Sequence, residues 1–436
     1  MATMWQFLYS TVVIPLMWTV FQASGFLNEK VRRGIRGRDG LFHSLATAAK
    51  AFGPGKRIWI HSASLGEFEQ GKAIIAGLRK RFPDLNIIVT FFSPSGYENS
   101  RKYPLADLVT YIPFDSQSAA SRFLDILEPD LAVFVRYDIW PNHVWELRRR
   151  NIPALLVNAT MSKLTLRRLP LVKSFHRALY DTLSEILTVS ANDADIFQLF
   201  SLRHPEVLPV GDTRYDQVTV RSVEARQKSI IPDSVLAGRK VLVAGSCWDE
   251  DDHHLLPFFR RLLGAMPEAL LIHVPHEPTR SHLEELTARL RGNTRFILLS
   301  ALDRYAGEPV IIVDSVGKLL PLYSSAHVAF IGGGFGQGVH NVLEAAVFGA
   351  PVVFGPRHYN SQEPLQLIDC GGGFVVEDDV AMERTIRHLL EDDSVRETAG
   401  QRAAAFVRDH TGTTDRVLSR LQPYLNGMEA SQRMSS

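Results

Sequence analysis

The stretch Val328–Pro356, VAFIGGGFGQGVHNVLEAAVFGAPVVFGP, decides the fold. It opens on an apolar run, Val328 to Ile331, the length of a short buried strand. Gly332, Gly333, Gly334, Gly336 and Gly338 then leave the backbone almost bare of side chains. The spacing of Val342, Leu343, Ala346 and Val347 predicts a helix over 340–348, with Gly349 as its stop. A second apolar run, Val352 to Phe354, closes on Gly355-Pro356. Strand, glycine loop, helix, strand is the unit of a parallel sheet that binds its ligand beyond the C-terminal ends of the strands. A helix starting near His340 would turn its N–H groups toward an anion such as phosphate. Glu344, one turn in, could accept hydrogen bonds from sugar hydroxyls. The glycines do not complete a dinucleotide fingerprint, because Val339 and Gln337 stand where the third glycine belongs, and no Gly-Lys-Ser/Thr closes a P-loop. A tight turn whose glycines only permit close packing explains them equally well.

Outward from this unit the same alternation continues in both directions. Apolar runs at Ile58–Ile60, Ile87–Phe92, Val109–Pro113, Leu131–Val135, Ala154–Val157 and Ile186–Val189 are separated by two-faced segments such as Glu67–Phe82 and Ala119–Leu127. A less regular, charged segment over 207–238 carries Pro209, Gly211 and Pro232 and is where a domain boundary is expected. The alternation then restarts with Val241–Ala244, Leu270–Val274 and Val310–Val313. The expected class is α/β, with two Rossmann-like domains facing a cleft. The chain divides into an anchor and basic flank (1–38), a first domain (39–215), a second (216–425) whose final helix could pack on the first, and a tail (426–436). A length of 436 residues suits two cores of ordinary size.

The N-terminus differs in kind. No charged residue precedes Glu29, and Phe7–Phe21 is mostly apolar, which is just enough to cross a bilayer. Lys30, Arg32, Arg33, Arg36 and Arg38 follow, and a basic flank on that side keeps the remainder of the chain in the cytoplasm. The stretch reads as a separable signal-anchor, with a monotopic helix as the alternative. A net charge of +1 argues against a general nucleic-acid binder. Cys247 and Cys370 give neither a metal spacing nor a disulfide framework.

Several polar residues fall where strands give way to helices. Glu67, in HSASLGE, would be a general base at the edge of a sheet or simply a favourable charge in a first helical turn. Asp138, in VRYDIWP, would be functional or a helix cap, and Arg136 lies beside it. Arg214, in GDTRYD, could reach a phosphate. In the second half, Gly245-Ser246, Pro275-His276 and Val316-Gly317-Lys318 follow successive strands, and together they suggest a nucleotide site.

Taken together, IHSASLGEFEQ, FFSPSGYE, GDTRYD, AGSCW and GQGVHNVLEAAVFGAPVVFGP resemble the 3-deoxy-D-manno-octulosonic acid (Kdo) transferases, and the resemblance covers nearly the whole chain. It implies a GT-B fold, an inverting transfer, CMP-Kdo as donor substrate, a lipid A precursor as acceptor, and neither metal nor cofactor. It further implies the inner membrane as location, with the catalytic domains on its cytoplasmic face. By matching position, Glu67 is the proton acceptor and Arg214 stands where the family usually has a transition-state lysine. Pro275, His276, Val316, Gly317, Lys318, Asn341, Val342, Leu343 and Glu344 fall on segments that contact CMP. The chain departs from the pattern in carrying Arg136 and Asp138 where two glutamates are usual, His276 for an arginine and Lys318 for a glutamate. A GT-B sugar-nucleotide epimerase and a tethered, non-catalytic nucleotide-binding module are the alternative functions.

Overall fold

The computed structural model describes residues 2–162, 165–359 and 361–426. The chain forms two compact units, Met1–Gln217 with Thr411–Ser436, and Val218–His410. The division falls inside a helix, Thr213–Arg226, in a region the sequence marks as irregular. Its charged face hides a helical pattern that contains no proline or glycine.

The first unit is a seven-stranded parallel sheet. Its strands are β1 (Arg57–Ser62), β2 (Asn86–Phe91), β3 (Leu108–Tyr111), β4 (Leu131–Val135), β5 (Ala154–Ala159), β6 (Glu185–Thr188) and β7 (Glu206–Pro209). The order β3-β2-β1-β4-β5-β6-β7 reverses direction between β1 and β4. Strands buried on both faces need apolar residues at every position, and β1 shows how they divide. Ile58 and Ile60 join one core with the C-terminal helix Thr413–Leu425, while Trp59 joins the other with Phe123, Phe134 and Trp145. The closing helix of the chain therefore belongs to the first unit. Its Tyr424 Oη donates to Glu185 Oε1 at 2.8 Å, and Arg420 Nε donates to Glu185 Oε2 at 2.6 Å.

The N-terminal helical run Met4–Leu27 is long and apolar enough to cross a membrane, yet it is not separable from this unit. Tyr9 and Ile14 are buried in the same core as Trp59. Arg38 is no headgroup cation either. Its guanidinium donates to the carbonyls of Gly34, Phe92 and Ile112, and burial lowers its pKa to about 10.

The second unit repeats the plan with β8 (Lys240–Cys247), β9 (Ala269–Pro275), β10 (Phe296–Leu298), β11 (Val310–Ile312), β12 (Val328–Ile331), β13 (Val352–Phe354) and β14 (Gly373–Val375). All its pairings are parallel, in the order β10-β11-β9-β8-β12-β13-β14, and the reversal lies between β8 and β12. The strands β7, β10 and β14 escape the sequence reading because they are three or four residues long and flanked by charge or glycine.

Candidate active site

In an open parallel sheet, the loops on either side of the reversal point diverge and leave a crevice at the carboxyl ends of the strands. In the first unit that point lies between β1 and β4, and it gathers Glu67, His61 and Asp138. Glu67 sits in the first turn of the helix Leu65–Arg81, whose N-cap is Ser64. Its Oε2 accepts from the N–H of Ala63 at 2.6 Å and of Ser64 at 3.2 Å, half of a capping box. The side chain is 4% exposed. Burial, and next the charge of Asp138, raise its pKa above the ordinary carboxyl value, against the pull of the two backbone donors and His61.

His61, at the end of β1, is buried. Its Nε2 lies 3.2 Å from Asp138 Oδ2 and its Nδ1 2.8 Å from the Thr90 hydroxyl. The Trp140 indole N–H also donates to Asp138 Oδ2, at 3.0 Å. Asp138 thus orients a histidine and a tryptophan at the sheet edge. It is not the N-cap of the following helix, which is Trp140. Arg136 follows β4 with φ +74, a costly conformation for a residue with a Cβ, and its guanidinium lies 5.4 Å from the centre of the Tyr137 ring. Arg214 is folded onto Asp212, with Nε to Oδ2 at 2.8 Å. The sequence reading passed over His61 and Thr90. A histidine closing an otherwise apolar strand was the available signal.

In the second unit the reversal point lies between β8 and β12, and three rings stack there. Trp248 lies 4.3 Å from His276, and His276 lies 4.5 Å from His340. The Trp248 indole N–H donates to His340 Nε2 at 2.8 Å. Burial, then the charge of His276, hold His340 down to about 4, so it is neutral at physiological pH and able to accept. Pro275 ends β9 just before this stack.

The glycine loop departs from expectation. Asp251 occupies its amides, with Gly333 N donating to Oδ2 at 2.7 Å and Phe335 N to Oδ1 at 3.3 Å. A side chain at Gly332 would strike the Ser246 carbonyl, and one at Gly334 the backbone of Gly355. The glycines therefore serve close backbone packing. The expected helix over 340–348 shrinks to Leu343–Ala346, one turn, with Asn341 Oδ1 accepting from Leu343 N at 3.2 Å. Two β-branched residues flank that turn, and Gly349, at φ +80, ends the segment. Helix N–H groups aimed at a phosphate are thus corrected.

Glu344 pairs with Arg221, 3.3 Å apart. Val342 and Leu343 are core residues, Asn341 is exposed, and Val316 stands 79% exposed beside Gly317, which has φ +77. Lys318 lines a cavity of about 480 Å³ with Ser229, Ser300 and Asp303. Glu67, Arg136, Asp138 and Arg214 thus belong to the first unit, and the segments singled out for CMP belong to the second.

Paired Rossmann-like units of this kind, each with polar loops at its reversal point, define the GT-B class of glycosyltransferases and their relatives. The UDP-GlcNAc 2-epimerase of Neisseria meningitidis bound to UDP-GlcNAc shares the fold, at TM-score 0.60 and 13% identity over 84% of this chain and 99% of that one. MurG of Acinetobacter baumannii does so at TM-score 0.52 and 14% identity, covering 84% and 99%. Residues 33–217 match the family model described as 3-deoxy-D-manno-octulosonic-acid transferase. The 3-deoxy-D-manno-octulosonic acid transferase of Haemophilus influenzae is 26% identical over 97% of this chain and 99% of its own length. That of Chlamydophila psittaci is 28% identical over 86% of each. Over nearly its whole length the chain is similar to Kdo transferases, and it is a glycosyltransferase.

Proposed function

We propose that the chain transfers Kdo from CMP-Kdo to a hydroxyl of a lipid A precursor with inversion at the anomeric carbon. The observation that carries this is the buried Glu67 carboxylate at the β1/β4 reversal, whose pKa burial raises above the ordinary carboxyl value, in the sense a general base needs. Glu67 takes the proton from the acceptor's primary hydroxyl as its oxygen attacks the anomeric carbon. The bond to the CMP phosphate breaks on the opposite face, and the electron pair leaves with CMP. One Glu67 oxygen is already held by the capping amides, which fixes the carboxylate in place. Arg214 and Arg136 supply positive charge for the departing phosphate, and Asp138 orients His61 beside the base.

Pro275, His276, Val316–Lys318 and Asn341–Glu344 bind the CMP portion, with the Trp248–His276–His340 rings as a flat wall. The proposed reaction uses no metal and no cofactor. An apolar N-terminal helix suits an acceptor that resides in the bilayer, and we assign the chain to the cytoplasmic face of the inner membrane. Incubation with CMP-Kdo and a tetraacylated lipid A precursor, in the presence of a chelator, should add one or more Kdo masses to the lipid. No incorporation, with interconversion of UDP-sugars instead, would establish the epimerase alternative.

A further inference from the structure

The geometry points to a divalent transition-metal site in the second unit, held by Asp249, Asp252 and His282, that braces the loops after β8 and β9. The ion is structural and takes no part in the transfer reaction.

Two helices bring the three ligands together. Asp249 and Asp252 stand three residues apart in the first turn of the helix Asp249–Ala265, so both carboxylates share one face. His282 lies in the first turn of the helix Arg280–Leu290, which follows β9. Its Nε2 is 3.9 Å from Asp249 Oδ1 and 4.0 Å from Asp252 Oδ2, and the three ligand atoms fall within 4.8 Å of one another. Those separations are too long for hydrogen bonds. They are close to the spacing of donors around a shared ion, since atoms bound tetrahedrally to zinc stand roughly 3.3–3.6 Å apart.

Asp252 carries the sign that a ligand belongs there. It is 1% exposed, yet only one of its oxygens is used. Oδ1 accepts from His273 Nε2 at 2.6 Å, while Oδ2 has no hydrogen-bond partner among the described residues. His282 Nε2, across the gap, is buried without one as well. Two bare polar atoms facing each other in the interior are costly, and a cation between them removes both deficits. The His273 contact fixes the orientation of Asp252, as an outer partner does for a metal-binding carboxylate. The nearby Asp252 carboxylate also raises the pKa of His282, so the spot already attracts positive charge.

A second triad, Cys247, Asp252 and His273, is equally compact. It is the poorer site, because burial pushes the Cys247 thiol up and keeps it protonated, and His273 Nε2 is already committed to Asp252. One nitrogen and two carboxylate oxygens suit zinc and its first-row neighbours better than magnesium or calcium, which prefer oxygen alone. Arg289 Nη2, 3.6 Å from Asp249 Oδ1, is the cation the ion displaces, and its side chain is exposed enough to turn away. The consequence is local order. Trp248 precedes Asp249 and stacks on His276 from the loop after β9, and Asp251, between the two ligands, holds the glycine loop. An ion joining the two helices fixes the loops that carry the ring stack.

The test is a calorimetric titration of zinc chloride into the full-length chain, stripped with a chelator and dialysed at mildly alkaline pH, where protons compete least for His282. The expected outcome is one zinc per chain with a Kd on the order of micromolar or below. His282→Gln and Asp249→Asn should each weaken binding by at least about tenfold, because losing even an outer partner of a metal ligand costs that much. Both side chains are partly exposed, so these variants are expected to fold. Saturating zinc should raise the unfolding temperature of the wild-type chain and of neither variant. Zinc bound equally by wild type and by folded His282→Gln is adventitious and overturns the site. A wild-type chain that binds none overturns it too, and a lowered unfolding temperature in His282→Gln then makes the cluster an ordinary ion pair. Magnesium bound as tightly as zinc overturns the nitrogen donor and with it the choice of metal.

Discussion

Glu67 carries two roles in one side chain, and substitutions can part them. Glutamine preserves the capping box, since its amide oxygen accepts from Ala63 and Ser64 as the carboxylate does. Glu67→Gln is therefore expected to keep its unfolding temperature while turnover falls by about 10²–10⁴-fold, the usual contribution of a general base. Glu67→Ala should lose the cap as well, about 0.5–2 kcal/mol in a denaturant titration. Wild-type turnover in Glu67→Gln would remove the base assignment and leave Asp138 as the next candidate. The raised pKa fixes the sign of a pH effect. The folded chain favours neutral Glu67, so wild type loses stability relative to Glu67→Gln as the pH climbs from the unfolded carboxyl value through the folded one. Activity should rise over the same interval as the carboxylate forms. His340 titrates in the opposite sense. Its folded pKa is lowered to about 4, so its contribution is complete above the unfolded imidazole value and is lost as the pH falls toward that number. Trp248 emission should change with a midpoint near this pH as the indole hydrogen bond breaks, and His340→Ala should abolish the transition.

At the scale of elements, the glycine loop after β12 depends on one carboxylate from another helix. Asp251, in the first turn of Asp249–Ala265, accepts from Trp248 N, Gly333 N and Phe335 N. This ties the loops after β8 and β12 together at the reversal point. Asp251→Ala leaves those amides without their acceptor, at about 1–3 kcal/mol for each buried group left bare. The expected outcome is a lower unfolding midpoint and faster amide exchange at Gly333 and Phe335. If exchange there stays slow, the loop holds its shape by backbone packing at Gly332 and Gly334 alone. Glu344→Ala should weaken CMP binding in a calorimetric titration. The same substitution removes the carboxylate's pairing with Arg221. Unchanged affinity would move the ribose elsewhere.

At the scale of the molecule, the two ends of the chain complete the first unit. Removing residues 1–28 takes Tyr9 and Ile14 out of the core and leaves Asp115, wholly buried, without one of its donors. A chain so shortened is expected to unfold at markedly lower temperature or to aggregate, and a soluble, fully stable product would show that the anchor is separable after all. Ending the chain before Thr413 should be as damaging. It exposes the partners of Val417, Leu418 and Leu421 and takes from the buried Glu185 the donors Arg420 and Tyr424, which lie on the lost helix. Breaking a buried charge pair from one side costs about 3–5 kcal/mol.

The sequence by itself determined the parallel α/β class and the long central strands, because apolar runs buried on both faces admit few other readings. It also determined Glu67 and Asp138 as candidates, since both follow strands whose ends are plain in the pattern. What only the tertiary structure decided depends on contacts far apart in the chain. His61 reaches Asp138 over an adjacent strand, and Asp251 fills amides that the glycine run had suggested were open to phosphate. The strands β7, β10 and β14 are too short to show a period. The N-terminal helix passes every compositional test for a crossing segment, but composition does not show a hydrogen bond from Tyr9 to a carboxylate more than a hundred residues away. Hydropathy reports how apolar a helix is, and only packing reports which of its sides is already taken.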